Sequence, residues 1–140
     1  MTRRVLFAVI AGSCLHADEE QQIWDLFTGM AAALSAGNAD EFLEPFNRAM
    51  PGYDSLEADV TALLLENEVR SSIEMISDDG DSTARVVELD WSMQIKDMQD
   101  AGAVTQRRER VRFQLVKQKK KWRITSLAPL TFFVPPKVAR

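Results

Sequence analysis

One histidine, one cysteine and one tyrosine occur in the 140 residues, and where they stand limits the chemistry. His16 and Cys14 both fall inside a stretch ordered like a cleavable export signal. Met1-Thr2-Arg3-Arg4 is positively charged, Val5 to Leu15 is apolar, and Leu15-His16-Ala17 ends on a small residue before the acidic, polar Asp18-Glu19-Glu20-Gln21-Gln22. Cleavage after Ala17 would leave a domain without a thiol or an imidazole. Such a domain has no disulfide, no Cys nucleophile, no Ser-His-Asp arrangement and no imidazole or thiolate ligand for zinc, copper or haem. Its chemistry rests on carboxylates, Tyr53, lysines, arginines and the backbone.

Within that inventory no phosphate-binding loop is visible, because Gly29, Gly37, Gly52, Gly80 and Gly102 stand singly among turn and helix signals. Asp78-Asp79-Gly80-Asp81 offers oxygen ligands of the kind calcium or magnesium takes, but it lacks the further spaced ligands of a calcium loop and reads as a hairpin turn. No metal and no cofactor are expected. With 17 basic and 21 acidic residues, a net charge of −4 and a pI near 5.0, the chain has no positive field to hold a phosphate backbone, which argues against nucleic acid.

The same N-terminal order sets the expected organisation: a secretory signal over residues 1–17, an α+β domain over 18–134 and a tail over 135–140. Export to a periplasm or to the exterior follows from it. Two alternatives stand beside this reading. Ala11-Gly12-Ser13-Cys14 resembles a degenerate lipobox, which would anchor the protein by a lipid on Cys14, and the segment could instead be an N-terminal strand or helix of the domain. The apolar run Val5 to Leu15 is shorter than the ~20 residues that span a bilayer, so no transmembrane segment is expected.

From Asp18 the spacing of apolar residues describes the elements that must position any site. Ile23, Phe27, Met30 and Leu34 recur at threes and fours and predict one amphipathic helix to Ala36, stopped by Gly37. Asn38 with Glu41 reads as a capping box opening a short second helix through Phe42, Leu43 and Phe46. Pro51-Gly52 breaks the chain again before a third helix carrying Leu56, Val60, Leu63 and Leu64. After Glu68 the period becomes two. Val69 to Met75, Val87 to Ile95, Thr105 to Lys117 and Trp122 to Ala128 alternate as half-buried strands.

Turns centred on Gly80, Ala101 and Lys119-Lys120 would put Ile73 opposite Val87, Trp91 opposite Val111, Asp90 opposite Arg112, and Leu115 opposite Ile124. All large apolar residues then share one face. Arg108, Arg110 and Arg112 fall on the other beside Glu88 and Asp90, which reads as a charge-paired solvent face rather than an anion patch. The Lys117 to Lys121 run reads as a soluble hairpin tip.

Three helices followed by a four-stranded antiparallel meander, with Ala33-Leu34-Ser35-Ala36-Gly37-Asn38-Ala39-Asp40 at the first junction and Lys121-Trp122-Arg123-Ile124 and Leu127-Ala128-Pro129 in the closing strand, resemble the NTF2-like superfamily. This is the α+β cone fold of ketosteroid isomerase and SnoaL-type cyclases. The resemblance implies helices packed on a strongly curved sheet and a pocket between them. It also implies that activity depends on whichever polar groups enter that pocket, since the scaffold hosts isomerases, dehydratases, hydrolases and non-catalytic domains.

For this chain the implied lining is Trp91, Met93, Arg107, Glu109, Phe113, Trp122, Ser126 and Tyr53, with Ser71 in the same parity. An isomerase-like or cyclase-like member would need a carboxylate base and an oxyanion donor, for which Glu109 and Tyr53 are the candidates. Against that, Glu109 and Arg107 are opposite charges two residues apart near a strand start, the pattern of a rim pair, and the rest of the lining is apolar. The expectation is therefore a non-catalytic domain that binds a small apolar ligand or a protein partner in or around the cone. The alternatives are the isomerase or lyase just described and a structural module whose cone is filled by its own side chains. A homodimer through the outer sheet face and closure of the cone's wide end by Phe132 or Phe133 complete the expectations.

Overall fold

The computed structural model describes residues 2–137, with side chains from Asp18 to Lys137. The expected signal of residues 1–17, with Cys14, lies outside the described side chains, as do residues 138–140 of the tail. Helix α1 (Thr2–Ser35) presents Ile23, Phe27, Met30, Ala31 and Leu34 as one buried stripe. It ends because Gly37 adopts φ +72°, open to a residue without Cβ, while the Gly37 and Asn38 amides donate back to the carbonyls of Leu34 and Ala33 at 3.1 and 2.9 Å. Asn38 then caps α2 (Ala39–Leu43). Its Oδ1 accepts from the Glu41 amide at 3.0 Å, and its Nδ2 donates to the Glu41 carboxylate at 3.1 Å. Helix α3 (Tyr53–Glu66) follows Gly52 and buries Leu56, Val60, Leu63 and Leu64.

Strands β1 (Asn67–Gly80), β2 (Ala84–Asp97), β3 (Val104–Gln118) and β4 (Lys121–Ala128) form one antiparallel sheet in the order β1-β2-β3-β4. The three-helix, four-strand α+β architecture agrees with the expectation. Val87, Leu89, Trp91, Met93, Ile95, Val111, Phe113, Leu115, Trp122 and Ile124 are all buried under the helices.

The register differs from the sequence reading in two hairpins. Ile73 lies opposite Trp91 rather than Val87, because the first turn follows Gly80: Gly80 already pairs with Arg85, and the Asp81 carboxylate accepts from the amides of Thr83 and Ala84 and from the Thr83 hydroxyl. Trp91 lies opposite Glu109 rather than Val111, and Asp90 opposite Arg110 rather than Arg112. There the Asp97 carboxylate holds the amides of Gln99 and Asp100 at 2.8 and 2.9 Å and draws the turn toward β2. Both displacements are even in residue number, so the buried face is unchanged. The third hairpin pairs Leu115 with Ile124 as expected, turning on Lys119 and Lys120 at positive φ.

Two bulges alter parity. One falls between Met75 and Ser77, leaving Ile76 exposed. Beyond it Asp78 stands opposite the buried Val87 and pairs with Arg85 at 2.7 Å, and Glu19 of α1 lies 3.6 Å from the same guanidinium. The other leaves Thr125 unpaired, so Ser126 stands opposite the exposed Gln114 and Leu127 takes the inward place opposite Phe113. The inward position expected for Ser126 is thereby corrected.

After β4 a 3-10 turn (Leu130–Phe133) folds back beneath α3 and buries Phe132 and Phe133. On the outer flank of β4 the chain from Pro45 to Asn47 runs alongside Ile124, exchanging backbone hydrogen bonds of 2.9 Å with it on both sides.

Candidate functional site

The concave face of the sheet is occupied by the protein itself. Phe133 packs edge-on against Trp91 and Phe42 with ring centroids 5.3 and 5.0 Å apart, Phe132 lies 5.0 Å from Phe133, and Phe113 joins Trp91 at 6.0 Å and Phe27 at 4.6 Å. Trp91, Met93 and Phe113 are at most 1% exposed. The Trp91 indole donates to the Ser71 hydroxyl at 2.7 Å, and the Ser71 amide donates to Ser35 on α1 at 3.0 Å, so the inward-facing Ser71 has its polar atoms engaged.

The two charged candidates meet a different environment. β4 stops at Ala128 opposite Arg112, so the first half of β3 has no strand on that side. Glu109 consequently lies exposed at an open edge, outside the apolar walls of the cone. Arg107 turns under the chain end instead, its Nη1 donating to the carbonyls of Phe132 and Val134 at 2.6 and 2.7 Å. Burial lowers its pKa, and Glu109 acts weakly against that shift.

Tyr53 is brought together with neither. Its ring is buried at the start of α3, on one wall of a cleft of about 560 Å³ between α2, α3 and β4, which also holds Asp40, Glu44, Arg48, Glu57 and Arg123. The Tyr53 hydroxyl donates to Glu57 at 3.5 Å. Burial is the main cause of its raised pKa, the Glu57 carboxylate adds to it and Arg48 opposes it. The phenol therefore stays protonated at neutral pH and serves as a donor. Arg123 donates to the Glu44 carbonyl at 2.6 Å and to its carboxylate at 3.3 Å. The cleft is polar, of mixed charge and open to solvent, suited to binding polar groups. Glu57 carried a legible signal, standing one helical turn after Tyr53, whereas Arg48 and Arg123 come from other elements and carried none.

Trp122 lines a second groove, of about 430 Å³, between α1 and β4, where Leu26 and Met30 lie opposite Lys120 and Lys121. Its indole nitrogen is buried without an acceptor among the described residues, and Lys117 sits 5.6 Å over its ring. On the outer sheet face Asp90 takes a two-pronged contact from Arg108 at 2.5 to 3.1 Å, which holds its pKa below the usual carboxylate value, and Arg110 reaches Glu88 at 3.5 Å. Among the described residues no group of three His, Cys, Asp or Glu side chains is placed to hold a metal ion, and no helix is long and apolar enough to cross a membrane.

No protein-family model and no curated protein matches the sequence. Solved structures do match the backbone. An NTF2-like protein with a cystatin-like fold from Novosphingobium aromaticivorans superposes with a TM-score of 0.65 over 84% of each chain at 10% identity. The chain has the NTF2-like fold. Other solved structures that match are equally distant in sequence. A conserved protein from Planctomyces limnophilus gives a TM-score of 0.71 at 11% identity, over 80% of this chain and 94% of that one. A candidate scytalone dehydratase from the same Novosphingobium species gives 0.69 at 11%, over 82% and 85%. At such identities the NTF2-like likeness fixes the backbone and leaves the chemistry to this chain's own side chains.

Proposed function

We propose that this NTF2-like domain is a non-catalytic binding module that engages a protein partner from outside the cone, at the Tyr53 cleft. One observation carries the reading: the space where an NTF2-like enzyme would hold substrate is filled by Trp91, Phe113, Phe132 and Phe133. Among the described residues the candidate base and donor do not face one substrate, since Glu109 lies exposed at the β3 edge and Tyr53 lines another cleft. The filled core favours a protein over a small apolar ligand, because an apolar ligand needs an apolar recess to enter.

We also propose export through cleavage after Ala17. Asp18-Glu19-Glu20 then becomes the first turn of the shortened helix, where acidic side chains complement the helix dipole; the first turn at Thr2 has none.

The test has two arms. The purified protein is incubated with a β,γ-unsaturated 3-ketosteroid, and isomerisation is followed by absorbance. No turnover is expected, and turnover abolished by Glu109→Gln would overturn the reading. In the second arm a photo-crosslinking residue replaces the exposed Gln118 at the cleft rim, with the exposed Gln94 of the outer sheet face as control. A discrete protein adduct from position 118, absent from position 94 and lost on Tyr53→Ala, is expected. Adducts indistinguishable between the two positions would refute the cleft as the contact.

A further inference from the structure

The segment after β4 is held as a bound peptide would be held. Its internal hydrogen bonds are local, from Phe132 to Pro129 and from Val134 to Thr131, both at 3.2 Å. Its attachment to the body comes from side chains. Phe133 is enclosed by Phe42 and Trp91, Phe132 stacks on Phe133, and Leu130 lies against Gly52. The remaining grip is Arg107, which reaches from β3 to the carbonyls of Phe132 and Val134 with one nitrogen. Buried aromatic rings and an arginine that recognises backbone carbonyls are the anchor types that dominate peptide and protein interfaces. Among the described residues the segment makes no backbone hydrogen bond to any strand of the sheet.

We propose that the slot formed by Trp91, Phe42 and Arg107 is a recognition site for polypeptide segments bearing two adjacent aromatic residues, with Leu130–Val134 as its tethered occupant. This goes beyond the reading above and does not use the Tyr53 cleft. The slot's selectivity follows from what fills it. Two edge-to-face rings require adjacent aromatic side chains in a tight turn, and the Arg107 donors require carbonyls two residues apart. Tethering gives the resident segment an effective concentration of order millimolar, so an external segment competes only for the fraction of molecules in which the slot is open. Weakening the resident therefore strengthens the visitor.

The experiment uses the full chain, ¹⁵N-labelled, and the capped peptide Pro-Leu-Thr-Phe-Phe-Val-Pro, with the same peptide carrying Ala-Ala for Phe-Phe as control. Hydrogen exchange of the wild type comes first. The Phe132 and Val134 amides are expected to exchange at least about tenfold faster than the β2–β3 ladder, reporting an opening below global unfolding. Exchange of both sets at one common rate overturns the proposal.

The peptide is then titrated while the Trp91 indole resonance is followed. Binding to Phe132→Ala/Phe133→Ala is expected to be at least about tenfold tighter than to the wild type, with no shift from the control peptide. An indole that does not move in the folded double variant, or that moves equally with both peptides, overturns the proposal. Should the double variant not fold, Arg107→Gln decides: it leaves both rings in place and is expected to speed exchange of the Phe132 and Val134 amides without speeding the β2–β3 ladder. Unchanged exchange there also overturns it. Crosslinking at Gln118 is unaffected by any of these outcomes, so failure here and failure of the cleft reading are separable.

Discussion

Replacing Phe133 by alanine tests whether the cone is filled or receptive. The ring is fully buried and has aromatic neighbours on three sides, with centroids 5.0 Å from Phe42, 5.3 Å from Trp91 and 5.0 Å from Phe132. Truncation removes the transfer free energy of the ring and leaves a void bounded by rigid aromatic walls, the case in which a Phe→Ala change costs about 3–5 kcal/mol. A domain of about 120 folded residues has an unfolding entropy near 0.25 kcal/mol/K, so the expected fall in Tm is about 12–20 °C. The assay is reversible thermal unfolding by circular dichroism, checked by urea titration at constant m-value. A loss below about 1 kcal/mol with unchanged m would mean that the ring borders space already open to solvent or ligand, and the filled-cone reasoning would be refuted.

Other perturbations reach separate parts of the structure. Ser71→Ala leaves the buried Trp91 indole without its acceptor and is expected to cost about 1–3 kcal/mol in urea unfolding; the loss should shrink when Trp91→Phe is already present. Gly52→Ala forces a side chain into φ +83° and its Cβ into Leu130 Cδ2, so destabilisation above about 1 kcal/mol is expected by the same method, against a stabilisation of about 0.4–1 kcal/mol for Gly29→Ala, inside helix α1, whose Cβ meets nothing. Asp81 has its pKa lowered chiefly by the Thr83 hydroxyl. The stability it contributes is complete above the unfolded value near 3.9 and is lost as pH falls through the folded pKa, so Asp81→Asn should flatten that acid limb of an unfolding-versus-pH profile. On the outer sheet face, Glu88 and Asp90 lie beside Arg108 and Arg110, so a homodimer through that face should dissociate as salt is raised in sedimentation velocity; a monomer at low salt removes the dimer.

Much of this arrangement was legible because local signals and global packing agree. Gly37 and Asn38 set the first junction by backbone conformation and side-chain capping, both properties of residue type. Alternation over β2 and β3 named the buried face correctly even where the partners were displaced, because the second hairpin shifted by an even step and the extra residue at Ile76 brought the odd shift of the first turn back to an even one. The candidate site fared differently. Ser126 is turned out by one extra residue at Thr125, and Asp78 is turned in by one at Ile76, events that period-two reading does not register. Glu109 has the right parity and the wrong surroundings, since its exposure depends on where β4 ends rather than on anything near Glu109 itself. The cleft around Tyr53 gathers Arg48 and Arg123 from separate elements, and only the tertiary fold juxtaposes them.

The run of chain from Pro45 to Asn47 alongside Ile124 has a consequence for solubility. An unpaired strand flank is a template on which another molecule can extend the sheet, and here a short loop supplies the hydrogen bonds that a stranger would otherwise make to β4. The stretch of β3 without a strand neighbour is guarded differently, by the exposed charges of Arg108, Glu109 and Arg110. On its β4 side the sheet thus resists open-ended self-association by occupying one stretch and charging the next. Neutralising β3 is the change that would turn the fold toward fibrous stacking.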